Sequence, residues 1–110
     1  RVNNNIAIDN RGYGIQEMSN IVASNTYKNN NVYGNDSSGI YLINGTASGT
    51  ITDDPQLVNY QINGTGDYRL AVGSRSRGAG VSEAAPAYDI LYNALSSPPD
   101  LGCYAALSGP

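Results

Sequence analysis

No histidine occurs among the 110 residues, and Cys103 is the only thiol. Ser-His-Asp and Cys-His catalysis, and zinc held by imidazole and thiolate, are therefore outside what this chain assembles by itself. What remains is oxygen chemistry and tyrosine. Asp53-Asp54, with Asn44 and Asn59 not far off in sequence, offers hard oxygen ligands of the kind Ca²⁺ takes. The EF-hand spacing is absent, however, and the stronger reading is a turn that opens the C-terminal segment. Arg75-Ser76-Arg77 has the charge to clamp a sulfate or carboxylate; its ordinary reading is a pair of surface cations near Glu83 and Asp89, where ion pairs contribute little. With no Phe or Trp, the aromatic content is nine Tyr. Tyr13, Tyr27 and Tyr41 are the candidates for stacking on sugar rings, provided they share a face, whereas Tyr33 is as suited to packing. Cys103 has no internal partner for a disulfide and is expected as a small buried apolar residue, with an intermolecular disulfide as the lesser alternative.

These residues need a scaffold, and the sequence writes one twice. Asn5, Ala7, Ile8, Asn10, Gly14 and Ile15 return 25 positions later as Asn30, Val32, Tyr33, Asn35, Gly39 and Ile40. A fixed period of this size marks a stacked-repeat architecture, and the units carry strand signals. Ile6 and Ile8 alternate with Ala7 and Asp9, Asn10-Arg11-Gly12 supplies a turn, and Tyr13 to Gln16 and Ser19 to Ala23 read as further short strands. Gly, Asn and β-branched residues crowd every window, which disfavours helix. The expected fold is thus all-β: right-handed parallel β-helix (solenoid) coils over residues 1–52, followed by an irregular C-terminal cap over 53–110. In such a stack Asn10 lies over Asn35, and Asn5 over Asn30, hydrogen-bonded along a ladder, while Ile15 and Ile40 form an apolar ladder inside. The pattern stops after Ile43, with Thr50-Ile51-Thr52 as a last short strand.

Composition narrows the partners. A charged fraction of 14% and a net charge of -3 leave no basic stripe for nucleic acid phosphates. No apolar run approaches the roughly 20 residues that span a bilayer, and no signal peptide is visible at the start. Abundant Asn, Gly, Ser, Thr and Tyr with one Lys resembles secreted or cell-surface proteins, and the start at Arg1 without Met suggests a processed product or the later part of something longer. Three N-x-[ST] triplets, at Asn35, Asn44 and Asn63, read as turn chemistry.

The tail carries a resemblance. Asp54-Pro55-Gln56-Leu57-Val58, Gly66-Asp67-Tyr68-Arg69-Leu70, Gly73-Ser74 leading to Gly78-Ala79-Gly80, and Pro99-Asp100-Leu101-Gly102-Cys103-Tyr104 resemble the closing segment of bacterial right-handed parallel β-helix (pectate-lyase-like) secreted and surface proteins. Arg75 stands where that pattern has Pro, and Cys103-Tyr104-Ala105 replaces Ala-Tyr-Glu. The resemblance implies a plug in which Leu57, Val58, Leu70, Val72, Ile90, Leu91, Leu101 and Tyr104 cover an open apolar end, with Asp67 and Asp100 accepting backbone N–H bonds at turns. For the lyases of that family it implies Lys or Arg as base and acid with Ca²⁺ on carboxylates, for which Lys28, Arg11, Asp9, Glu17 and Asp36 are the residues on hand. None matches a lyase motif residue by residue. The expected function is a non-catalytic, extracellular structural module, with no cofactor beyond possible Ca²⁺, that stacks on upstream coils of a parent protein or end to end on other subunits, with polysaccharide as a further partner. The alternative is the C-terminal fragment of a polysaccharide lyase or hydrolase with its catalytic residues upstream. Val2, Ile6 and Ile8 are the expected assembly edge, since a first strand leaves unpaired N–H and C=O groups.

Overall fold

The computed structural model describes residues 1–18 and 24–106. The first 25-residue unit forms β1 (Val2–Asn3), β2 (Ile6–Ile8) and β3 (Tyr13–Gln16); the second forms β4 (Thr26–Lys28), β5 (Asn31–Tyr33) and β6 (Ser38–Tyr41). β7 (Thr46–Ser48), β8 (Leu57–Asn59) and β9 (Asp67–Leu70) follow. The third strand expected at Ser19 to Ala23 lies outside the described residues. Each strand of the first unit pairs in parallel with its equivalent in the second: Val2 with Tyr27, Ile6 with Asn31, Ile15 with Ile40. Register is fixed here by corners as much as by strands. Asn4 and Asn29 both adopt left-handed backbone, at φ 63° and 54°, and Asp9 and Gly34 do the same at 55° and 68°. Asn and Asp tolerate that conformation because their short side chains hydrogen-bond locally.

The expected right-handed parallel β-helix solenoid is corrected by what the strands do beyond these pairs. Among the described residues they make four small separate sheets, of orders β1-β4-β7, β2-β5, β3-β6 and β8-β9, and β8-β9 is antiparallel. Only one sheet reaches three strands, and it does so with the spacing shortened from 25 to 20, as Tyr27 meets Ala47. The strand expected at Thr50-Ile51-Thr52 is reduced to one bridge, Asn31 to Ile51. No helix occurs among the described residues. The physical reason is that two units supply the ladder residues and the sequence after Ile43 supplies none, so the chain folds back into a compact all-β body instead of continuing the stack.

The interior also differs from expectation. Ile15 and Ile40 are half-buried, not central. The buried side chain between the units is Val32, which reaches Gly14 and Gly39 so closely that a Cβ at either glycine would lie 3.0 Å and 2.6 Å from its methyls. Tyr27, Leu70, Leu101 and Ala105 are also buried, as are Pro55 and Pro99.

Residues 53–106 do not close an end. They dock along the flank that carries Asn4 and Asn29: Asn4 exchanges two 2.8 Å bonds with the backbone of Val81, Asn29 Nδ2 donates to the Ala79 carbonyl at 2.8 Å, and Gly102 N–H donates to the Asn4 carbonyl at 2.8 Å. Asn31, fully buried, donates to Ser76 Oγ at 2.8 Å. Of the eight apolar residues assigned to a plug, Leu70 and Leu101 are buried, while Val58, Val72, Ile90 and Leu91 lie exposed. Polar flank contacts, together with the burial of Leu70, Leu101, Ala105 and Pro55, hold the tail. Asp100 does act at turns, accepting from Gly78 N–H at 2.6 Å and Ala106 N–H at 2.7 Å.

Candidate functional site

The asparagine pairs tie the two units together at the corners between strands. Asn5 donates to Asn30 Oδ1 from its backbone N–H at 2.9 Å and from Nδ2 at 3.0 Å. Asn10 repeats this on Asn35 Oδ1, at 3.0 and 2.9 Å. Asn30 Nδ2 and Asn35 Nδ2 return bonds to the carbonyls of Val2 and Ala7, at 2.8 and 3.0 Å. Each amide thus ties one unit to the next through a side chain and a main chain together. On the outer side the scheme is left incomplete: among the described residues none donates to Asn5 Oδ1 or Asn10 Oδ1, and both residues are exposed. β1 is the outermost strand of its sheet and β2 has β5 as its one partner.

Beside that edge runs a groove. It is open to solvent, holds about 420 Å³, and is lined by Ile6 and Ile8 of β2 with Leu57, Tyr60, Tyr68 and Cys103. A smaller hollow of about 230 Å³, reaching Asp9, Tyr33 and Gln56, continues it past Ile8 and Tyr60. Tyr60 and Tyr68 meet edge to face with centroids 6.2 Å apart, a geometry that the ring quadrupoles favour. The Tyr68 hydroxyl donates to the Gln61 carbonyl at 2.6 Å and accepts from Gly66 N–H, so it is a hairpin strut. The Tyr60 hydroxyl is turned toward Asp9, whose carboxylate, followed by burial, raises its pKa.

The residues singled out from sequence do not gather into one centre. Lys28 reaches both carboxylate oxygens of Glu83 at 3.3 Å, and Arg1 lies 3.7 Å from the same group. Arg11 stands exposed in the turn after β2. Asp53 holds Arg75 at 2.9 Å and Asp54 accepts from Gln56 N–H at 2.9 Å, so the pair acts as an ion-pair partner and a turn cap. Among the described residues no three His, Cys, Asp or Glu side chains converge as a metal would require. Tyr13 and Tyr41 do meet, with centroids 5.1 Å apart and planes at 36°. Tyr27 does not join them: it is buried, with its hydroxyl on Glu17. Val2 is half-buried at the edge, while Ile6 and Ile8 turn their side chains into the groove. Cys103, expected in the interior, is exposed and lines the groove, directly after Gly102 at φ 86°.

Glu17 is the residue whose role the sequence concealed. Nearly fully buried, its Oε1 accepts the N–H groups of Ile43, Asn44 and Gly45 at 2.7, 2.9 and 3.1 Å, and Oε2 accepts the Tyr27 hydroxyl at 2.8 Å. It is the anchor of the turn between β6 and β7. The Ile43 N–H foremost, then the other two N–H groups and Tyr27, hold its carboxyl down to about 2 against the opposing pull of burial. Asp67, on Arg69, is likewise held at about 2. Both folded pKa values lie below the unfolded carboxylate range of roughly 4. Their stabilisation is therefore complete above about pH 4.5 and is lost as pH falls toward 2. Melting temperature measured from pH 6 to pH 2 should stay level and then drop through that window, and Glu17→Gln should lower the plateau while flattening the drop. A melting temperature indifferent to pH down to 2 would contradict the anchor.

Compared with protein-family models, with curated proteins and with solved structures, the chain matches none. No helix among the described residues is long and apolar enough to cross a membrane.

Proposed function

We propose that this chain is a non-catalytic structural module of a secreted or surface-exposed protein, joined to further β structure by parallel strand addition at the β1/β2 edge. The observation that carries this reading is the unfinished asparagine scheme. Each asparagine Oδ1 of the second unit receives a backbone N–H and an amide from the first, and Asn5 Oδ1 and Asn10 Oδ1 offer the same acceptors with no described donor. A strand bearing two asparagines at this spacing would meet them as Asn5 and Asn10 meet Asn30 and Asn35. An exposed strand edge is a template for pairing, and asparagine specifies the register of what pairs there. Lys28, the one lysine, is engaged by Glu83, and Arg11 sits in a different turn, which removes the support for proton-transfer chemistry. The polar, Asn- and Tyr-rich composition supports the surface-exposed setting.

The test is a chain carrying a second copy of residues 1–25 ahead of Arg1. If the edge accepts a unit, the melting temperature should rise by roughly 5 °C or more, since about 1 kcal/mol moves a domain of this size by 4–8 °C. The gain should vanish when the two asparagines of the added unit that correspond to Asn5 and Asn10 become alanine. An unchanged melting temperature, with the added residues cut freely by protease, would overturn the proposal.

A further inference from the structure

Outside the edge, the loop 88–93 carries an unexplained run of exposed large side chains. Tyr88, Ile90, Leu91 and Tyr92 are 56, 65, 61 and 86% exposed within five residues. The loop is built to hold them there. The Asp89 carboxylate accepts the N–H groups of Leu91, Asn93 and Ala105, each at 2.8 Å. Asp89 N–H donates to the Asn93 carbonyl at 2.9 Å, and Tyr88 bridges Ala94 across the loop base. Tyr92 sits at φ 65°, a left-handed conformation that an aromatic residue adopts only when its surroundings impose it. Four large side chains are thus presented on a hydrogen-bonded loop, which lowers the backbone ordering cost of binding.

The same molecule carries the matching concavity. Ile90 N–H donates to the Cys103 carbonyl at 3.1 Å, and Leu91 shares a hollow with Tyr68 and Tyr104. Cys103 and Tyr68 are also walls of the 420 Å³ groove. The knob therefore stands at the rim of the hole, on one face. Cavities of about 150 Å³ already accept a benzene ring, so the groove has room for two aliphatic side chains. We infer that two copies of this chain form a closed, two-fold dimer in which the 88–93 loop of each inserts Ile90 and Leu91 into the Ile6, Ile8, Leu57, Tyr60 and Tyr68 groove of the other. In this arrangement each copy gives its loop and receives the other's, so the contact closes after two copies, unlike a head-to-tail contact, which propagates. The area suits a weak dimer: the four side chains expose on the order of 500 Å², so even with the groove walls the contact stays below the roughly 800 Å² per partner of a standard interface. The contact takes the Ile6 and Ile8 side chains of β2 but pairs no strand there, so this inference does not rest on the proposed strand addition.

Sedimentation equilibrium of the intact chain tests it. A monomer–dimer equilibrium in the micromolar range is expected, with no larger species as concentration rises. Leu91→Glu should raise the dissociation constant at least roughly 30-fold, as loss of a central anchor does. Tyr92→Asn keeps the fold under control, since Asn suits the left-handed backbone: its monomer should melt no lower than the parent while its dimer weakens about tenfold or more. Ile62→Glu, on the 82% exposed Ile62 of the hairpin loop, should leave the dimer intact. A chain that stays monomeric to about 100 μM, with or without binding to lipid vesicles, would overturn the inference, as would a dimer unaffected by both loop variants.

Discussion

Gly39→Ala should destabilise the chain by about 2–3 kcal/mol in urea unfolding, more than truncation of any exposed apolar side chain. A methyl at this position would lie 2.6 Å from Val32 Cγ2 and 3.3 Å from Val32 Cβ. Val32 cannot swing away, because a β-branched side chain is stiff at χ1, and it is 4% exposed with the neighbouring unit around it. Val32→Ala alone should cost about 1–3 kcal/mol by leaving a cavity. In the double variant the new methyl enters the space that the valine vacates, so the pair should be less damaging than the sum by about 1 kcal/mol or more. Strict additivity would mean that Val32 is not the element wedged between Gly14 and Gly39.

Much of this layout can be read in the residues, and the boundaries of that legibility are physical. The 25-residue recurrence is visible because parallel pairing puts equivalent positions opposite each other, so asparagine lies by asparagine and glycine by glycine. Spacing does not say which face points inward. Ile15 and Ile40 look central by hydropathy, yet the small residues before them admit Val32, and the isoleucines remain half-buried. Nor do two units make a solenoid: the recurrence ends at Ile43, and beyond it the chain forms a separate antiparallel pair. The flank docking was hidden for another reason. Asn4, Asn29 and Asn31 reach partners 45 to 77 residues away, contacts with no sequence period. Glu17 was hidden likewise, since its three N–H donors lie 26 to 28 residues on.

Asn30→Ala carries the second large effect. Asn30 is 1% exposed, and its side chain makes three bonds: it accepts Asn5 N–H and Asn5 Nδ2, and it donates to the Val2 carbonyl. Removing it strips partners from two backbone groups that water reaches poorly, each at about 1–3 kcal/mol, so a loss near 3 kcal/mol is expected. Asn35→Ala removes an equivalent set, but Asn35 is half-buried and Asn10 exposed, so water replaces part of what is lost and about 1 kcal/mol is expected. Chemical unfolding of the two single variants gives the comparison; equal costs would show that burial does not set the strength of these pairs.

The most direct test of in-register pairing between the two units is a double-mutant cycle on Asn5 and Asn30. Asn5→Ala, Asn30→Ala and the double variant are unfolded in urea beside the parent, with Asn5→Ala combined with Asn35→Ala as the control. Since Asn5 Nδ2 bonds Asn30 Oδ1 at 3.0 Å, a coupling of about 1 kcal/mol is expected for the first pair, and less than about 0.3 kcal/mol for the second. Additive costs at Asn5 and Asn30, or a coupling as large between Asn5 and Asn35, would contradict the register on which the open edge and its proposed use both depend.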